Sequence, residues 1–334
     1  MITAGVELND EALAADLTAG LKQVEEGLQV ASRAEHDVLT EASAHLIDAG
    51  GKRLRPMLVL LAAQFGNPHD KRVIPAAVAV ELTHLATLYH DDVMDEADVR
   101  RGTPSANSRW NNTIAILTGD FLFARASSIL ADLGSEAIRI QAETFSRLVT
   151  GQVAETVGPQ PGADPFEHYL GVITEKTASL IATAGRFGAM FSDAPAGLAT
   201  RMASACAGLG VAFQLSDDIL DVSSERAQSG KTPGTDLREG VRTLPMLHAL
   251  RMPQRSGGSR DARLIELLSQ EKITDPAQHS EALSLLRGHP AMELARQDLR
   301  HWAEVAREEI RGLPACPARD AFETICEFVV ERSG

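Results

Sequence analysis

Two carboxylate clusters of identical spacing constrain this chain more than any other feature. They are Asp91-Asp92-Val93-Met94-Asp95 and Asp217-Asp218-Ile219-Leu220-Asp221. Each lies in a stretch with helical periodicity, where positions i and i+4 share a face. Asp91 therefore aligns with Asp95 and Asp217 with Asp221, while Asp92 and Asp218 sit about 100° round the same turn. Like charges at this spacing cost a helix roughly 0.2–0.5 kcal/mol per pair. A chain that bears the cost twice has a cation to place between the clusters. All-oxygen carboxylate donors suit Mg²⁺, which keeps several waters and shares its sphere with substrate phosphates. The clusters lie in different halves of the sequence, so a shared site requires both halves in one fold. The expectation is a single all-α domain spanning 1–334, with ten or more helices.

Composition narrows the function. The 334 residues are 44% apolar, enough for a large core. No uninterrupted apolar run reaches the roughly 18 residues that span a bilayer, so no integral membrane segment is expected. The N-terminal segment lacks the basic-then-apolar order of a signal peptide. Three scattered cysteines, Cys206, Cys316 and Cys326, form neither a disulfide framework nor a metal-ligand pattern, and the simplest compartment is the cytoplasm. A formal charge of −14 argues against nucleic acid as a partner. It does not exclude phosphorylated substrates, because bound Mg²⁺ inverts the sign of a site locally.

Apolar periodicity predicts helices from about Glu7 to Ala31, Glu35 to Ala49, Arg53 to Phe65, Arg72 to Asp95, Thr113 to Leu133, Ser135 to Val157, Pro165 to Phe191, Pro195 to Val222, Leu237 to Arg251 and Ala262 to Ser269, with several more to the end. Gly50-Gly51 reads as a helix C-terminus, and Asp164-Pro165-Phe166-Glu167 as a capped helix start. Asp193-Ala194-Pro195 reads as a second start of that kind, and 254–259 as an exposed loop. The flanks of the two Asp clusters differ, which argues against an internal repeat.

Several cationic groups stand ready to answer the acids. Gly50-Gly51-Lys52-Arg53-Leu54-Arg55-Pro56 is a basic turn that opens a helix, where exposed N–H groups favour an anion. Arg100-Arg101-Gly102 follows the first Asp cluster. Taken alone, each reads equally well as a solvated loop. Lys176 and Thr177 lie among apolar neighbours; a lysine covering apolar surface with its stem is the simpler reading there. Gln214 sits one turn before Asp218, and His84 shares the face of Asp91 by heptad spacing, where a core histidine is the plainer explanation. No nucleophile–base pair and no phosphate-binding glycine loop of the P-loop or dinucleotide type occurs. As a set, the residues suit two diphosphates, one held through metal and one through Arg and Lys.

These segments carry a resemblance to a family. GGKRLRP (50–56), HDDVMDEADVRRGTP (90–104), GDFLFARA (119–126), EKTASLIATA (175–184), FQLSDDILD (213–221) and GKTPGTDLREG (230–240) resemble the trans-type polyprenyl diphosphate synthases, head-to-tail prenyltransferases of the all-α type I isoprenoid synthase fold. The resemblance implies that Asp91, Asp92, Asp95, Asp217, Asp218 and Asp221 hold three Mg²⁺ ions on an allylic diphosphate. It implies that Arg100, Lys176 and Lys231 bind the same diphosphate, and that Lys52, Arg55, His84 and Arg101 bind isopentenyl diphosphate. Thr177, Gln214 and the Lys176 carbonyl would stabilise the allylic cation. One departure is Val241, where many relatives carry a lysine; Arg242 is the next cation. The segment after about Arg251 carries no motif of use.

Product length is governed in this family by the residues four and five before the first Asp, here Thr87 and Ala86. Neither is bulky, which implies a long-chain product of about seven to ten isoprene units of the kind found on quinones. If Ala86 and Thr87 serve only close helix packing, the product is instead geranylgeranyl or farnesyl diphosphate. Tyr89 points away from the Asp91 face, and Phe121, Phe123 and Phe145 are candidates for a deeper floor or for core packing. A non-catalytic subunit of a heteromeric synthase is disfavoured because both clusters are intact; a terpene cyclase is disfavoured by the GGKRLRP turn. By analogy the chain is expected to be a homodimer, touching the membrane only while releasing product.

Overall fold

The computed structural model describes residues 2–3, 6–223, 233–252 and 259–333. Lys231, with Gly230 and Thr232 of the last motif, and residues 254–258 of the loop expected at 254–259 lie outside the described residues; Ser259 begins a helix instead. Among the described residues, regular structure is almost wholly helical. The exceptions are two hairpins of two-residue strands: β1 (Ile2–Thr3) with β2 (Val6–Glu7), and β3 (Val99–Arg100) with β4 (Thr103–Pro104).

The helices run in chain order as α1 (Glu11–Ala31), α2 (Asp37–Asp48), α3 (Leu54–Ala63), α4 (Val73–Met94), α5 (Ala106–Arg109), α6 (Asn112–Leu133), α7 (Ser135–Val157), α8 (Pro165–Ile173), a π-helical turn (Thr174–Ala178), α9 (Ser179–Phe191), α10 (Leu198–Ser223), α11 (Thr235–Glu239), α12 (Leu244–Arg251), α13 (Ser259–Leu268), α14 (Pro276–Arg287), α15 (Ala291–Arg311) and α16 (Pro317–Glu331). They gather into two compact units. One holds the described residues of Met1–Ser146 with Ser179–Cys206 and Glu308–Ile325; the other holds Arg147–Ala178, Ala207–Arg307 and Cys326–Gly334.

In the first unit α4 is the central element. It packs along α6 and against α1, α3 and α9. Its buried residues, among them Ala76, Ala77, Val80, Leu82, Leu85, Ala86 and Tyr89, surround its axis instead of marking one stripe, as a helix enclosed by others must. α3 is likewise buried from Pro56 to Ala63. By length and composition α6 is the described helix apolar enough to cross a membrane, though Asp120 and Arg125 interrupt it. In the second unit α12 packs on α8, α13 and α14, and α13 packs on α14.

Several boundaries depart from the expectations, each for a local reason. α1 begins at Glu11, not near Glu7, because Asp10 caps it: its Oδ1 accepts from Leu13 N–H at 2.8 Å. Asp193 does not open α10. It takes the left-handed conformation, φ 52°, as the second residue after α9, and the following Ala194 N–H bonds back to Ala189 O at 3.1 Å. α10 then starts at Leu198. The helix expected over 237–251 is two helices, since Gly240 closes α11 at φ 82° and Pro245 sits in the first turn of α12. Within 165–191 the chain stays helical but widens to the π turn at Thr174–Ala178. The capped start at Asp164 is observed, with Phe166 N–H donating to its Oδ1 at 2.9 Å, and Gly50 follows α2 at φ 80°.

Candidate active site

The first Asp cluster closes α4. Asp91 and Asp92 lie in its last turn and Asp95 is its C-cap, with Asp95 N–H donating to Asp91 O at 2.8 Å. Asp92 is fully buried. Arg100 Nε donates to its Oδ1 at 2.6 Å, whereas its Oδ2 is buried with no hydrogen-bond partner. Burial pushes the Asp92 carboxyl up, and Arg100 pulls the other way. A buried carboxylate oxygen lacking a donor is costly, and a cation is what relieves it.

The arginine that meets Asp92 is aimed by a tight turn. Arg100 pairs with Thr103 across the β3–β4 hairpin, whose turn residues Arg101 and Gly102 have φ 53° and 76°. Two positive φ values define a type I′ turn, which matches strand twist and favours glycine at its second position. Arg101 then turns back to α2. It donates to Leu46 O at 2.8 Å and to Gly50 O, capping the carbonyls that end that helix.

The basic turn at 50–56 is organised by a residue that the sequence reading passed over. Arg53 takes left-handed geometry at the start of α3, and its side chain is buried. It donates to Glu25 Oε1 at 2.5 Å, to the buried Glu81 Oε1 at 2.9 Å and to Ile47 O at 3.0 Å. Nothing but its place among basic neighbours marked it in sequence. Lys52 is exposed, Arg55 and His84 are half-buried. Burial holds the His84 imidazole well below its ordinary value, and the guanidinium groups of Arg55, Arg101, Arg100 and Arg53 reinforce this. The structure thus gathers four arginines around one neutral histidine, a charge distribution that suits an anion.

Below Asp91, Thr87 donates its hydroxyl to His84 O at 2.8 Å, and Ala86 is buried. α6 comes close here: a Cβ on Gly119 would stand 3.0 Å from Ala86 O and 2.3 Å from His90 Nε2. Tyr89 faces elsewhere, donating to Ala42 O at 2.5 Å and accepting from Leu46 N–H at 3.2 Å. Phe123 and Phe145 stack with centroids 4.0 Å apart, and Phe121 lies under the Arg125 guanidinium.

The second unit holds the remaining described groups. Thr177 Oγ1 donates to Gln214 Oε1 at 3.0 Å, and Gln214 Nε2 donates to Asp218 Oδ1 at 2.9 Å. Tyr169 donates its hydroxyl to Asp218 Oδ2. Thr177, Gln214 and Asp218 therefore form one hydrogen-bonded line. Burial lifts the Asp218 carboxyl to about 7 against the bonds that it accepts from Tyr169 and Gln214. Asp217 Oδ1 pairs with the Arg332 guanidinium at 2.9 Å. Asp221 receives Thr235 N–H at 3.1 Å and Asp236 N–H at 3.3 Å, so it also caps α11. Lys176 Nζ pairs with Glu155. Tyr169 and Arg332 were absent from the sequence reading. Arg332 donates to Ser216 Oγ and Phe213 O, each at 2.9 Å, and stacks over the Phe213 ring, so the chain's last turn braces the second Asp cluster.

Among the described residues, no three carboxylate, imidazole or thiol side chains converge as a preformed metal cage. The donors still fit a hard divalent cation. All six are carboxylates, and Asp92 Oδ2 is a buried acceptor with nothing to accept. Mg²⁺ is held in this manner, through a few carboxylates plus substrate phosphate and water.

Residues 36–286 match the Polyprenyl synthetase family model. The chain belongs to this family. Across all 334 residues it is 48% identical to a nonaprenyl diphosphate synthase of Mycobacterium tuberculosis, covering 98% of that protein. It superimposes with a TM-score of 0.87 on a geranylgeranyl pyrophosphate synthase from Corynebacterium glutamicum, solved with calcium and isoprenyl diphosphate; identity is 43%, and 98% of this chain and 100% of that one are covered. A decaprenyl diphosphate synthase from Rhodobacter capsulatus gives a TM-score of 0.85 at 34% identity over 97% of this chain and 99% of that one. The fold is the all-α type I architecture of these synthases. The chain is a trans-prenyltransferase, of a family that uses divalent metal, isopentenyl diphosphate and allylic diphosphates.

Proposed function

We propose that this enzyme extends an allylic diphosphate with successive isopentenyl units to a long-chain all-trans polyprenyl diphosphate. The observation that carries this reading is the survival of both carboxylate clusters intact, in a chain alignable end to end with a nonaprenyl synthase. Asp91, Asp92, Asp95, Asp217, Asp218 and Asp221 would hold three Mg²⁺ ions. When bound, these supply Lewis-acid stabilisation of a departing diphosphate.

The chain's own residues do the rest. Arg100, Lys176 and Lys231 bind the allylic diphosphate, and Lys176 and Arg100 exchange Glu155 and Asp92 for phosphate oxygens. Lys52, Arg55, Arg101 and neutral His84 bind isopentenyl diphosphate and orient its double bond. As the allylic C–O bond breaks, Thr177 Oγ1, Gln214 Oε1 and the Lys176 carbonyl face the positive charge on carbon; such preorganised dipoles are effective where water is excluded. The new C–C bond forms from the isopentenyl double bond, and the released diphosphate removes the proton.

Ala86 and Thr87 leave the path below Asp91 without a large side chain, which favours long products. The geranylgeranyl reading keeps one support, the close approach of Gly119 to Ala86 O. A homodimer is supported by exposed apolar residues: Ile116 and Leu117 on α6, and Ile138, Val149, Val153 and Val157 on α7. In this reading the enzyme works in the cytoplasm and meets the bilayer peripherally when an insoluble product leaves. Asp91→Ala and Asp218→Ala should each lower turnover by several orders of magnitude with unchanged circular dichroism. Near-normal turnover in both variants rules out the mechanism.

A further inference from the structure

The turn that carries Lys176 and Thr177 is the π-helical segment among the described residues. A π turn is rarer than an α turn and is met mostly as a single turn at functional sites, so something outside must hold it. α7 supplies three residues for that purpose at four-residue intervals, on one face. Arg147 donates from Nε and a terminal nitrogen to both carboxylate oxygens of Glu175, at 2.7 and 2.9 Å. Glu155 accepts from Lys176 Nζ. Between them Gly151 is buried, and a Cβ there would stand 2.5 Å from Lys176 N and 3.0 Å from Lys176 Cα. Those are backbone atoms, which cannot swing aside as the end of a side chain can. The exposed valines 149, 153 and 157 lie on another face of α7, about 200° round, so they take no part in this contact.

We propose that the Arg147–Gly151–Glu155 stripe is the positioning device of the reactive turn: Gly151 sets the backbone distance, the Arg147–Glu175 pair locks it, and Glu155 holds the Lys176 ammonium until diphosphate takes it over. The proposal rests on the reading of Lys176 and Thr177 as reaction-site residues. It assigns Gly151 no contact with substrate. A methyl group at 151 displaces the π turn or α7, and with it the Lys176 carbonyl and the Thr177 hydroxyl that bonds Gln214. A misplacement near 1 Å is enough to cost about a hundredfold in rate.

Three single variants separate the possibilities. Gly171→Ala is the control, since a Cβ there meets nothing within 4 Å. It should leave kcat within about threefold of the wild type. Gly151→Ala should lower kcat about a hundredfold or more, with KM for isopentenyl diphosphate within about threefold and with the circular dichroism and denaturation midpoint of the wild type, which excludes loss of folded enzyme as the cause. Thr177→Val tests the underlying reading. If Thr177→Val keeps wild-type kcat, that reading fails; if Thr177→Val loses kcat and Gly151→Ala does not, the positioning proposal fails. Should Gly151→Ala not fold, the charge-swap pair decides. Arg147→Glu and Glu175→Arg should each lower kcat about tenfold, and together recover most of it. Singles with wild-type kcat, or a double variant no better than the worse single, overturn the proposal.

Discussion

At the scale of residues, the site is defined by carboxylates held in tension with their surroundings. Asp92 and Asp218 are both buried, and burial raises both, yet only Asp218 has donors for each oxygen. Tyr169 is one of those donors. Removing it leaves Asp218 Oδ2 in an apolar setting and makes a proton a stronger competitor for the carboxylate. Tyr169→Phe should therefore raise the Mg²⁺ concentration for half-maximal turnover by about tenfold, the usual size of an outer-sphere effect; an unchanged Mg²⁺ titration would show that Tyr169 has no such role. His84 gives a pH prediction. Its folded-state pKa lies well below the ordinary 6.5, so the unfolded chain takes up the proton first. Its contribution is complete above pH 6.5 and is lost as the pH falls below, at up to about 1.4 kcal/mol per pH unit for one proton. The free energy of unfolding of His84→Gln should decline less steeply than that of the wild type between pH 6.5 and 5 by about that slope. Equal slopes in denaturant titrations would contradict the neutral assignment.

At the scale of elements, the basic turn before α3 shows what sequence could and could not reveal. Its charge was legible, because a run of Lys and Arg at a helix start has few uses. Its architecture was not. Arg53 looks like its neighbours in one dimension but is buried between Glu25 and Glu81, which lie on two other helices. Breaking a buried ion pair by removing one partner costs about 3–5 kcal/mol. Arg53→Met should lower stability by about that much and raise KM for isopentenyl diphosphate, whereas Lys52→Met should act on KM alone; equal denaturation midpoints for Arg53→Met and the wild type would refute the structural role. Helix boundaries were missed for a different, local reason, because periodicity does not mark caps. Asp193 followed by Pro195 looks like a start, but φ and ψ at Asp193 answer to the end of α9. Asp10 works as a cap where periodicity alone ran the helix back to Glu7. Some local chemistry was readable, as at Asp164 and Gly50, whereas the buried role of Arg53 was hidden because partners distant in sequence decide it.

At the scale of the whole molecule, the all-α class and the family were readable because both carboxylate clusters survive unaltered. The pairing of Arg332 with Asp217 was not, since a lone arginine just after the last helix has no pattern to mark it. Nor was the mutual arrangement of Thr177, Gln214 and Asp218, although their spacing allowed it. Product length is the property that most depends on the molecule as a whole. In the proposed reading, Ala86 and Thr87 on α4 and the α6 contact at Gly119 set how far the product extends below Asp91. The most direct measurement is to incubate the enzyme with Mg²⁺, farnesyl diphosphate and labelled isopentenyl diphosphate and to size the dephosphorylated products, with and without chelator and beside Ala86→Phe. The account predicts metal-dependent all-trans products of about seven to ten isoprene units, a span that takes in the nine and ten named for its nonaprenyl and decaprenyl relatives, shortened in Ala86→Phe. Elongation that persists in chelator, or wild-type products that stop at four units, would contradict it.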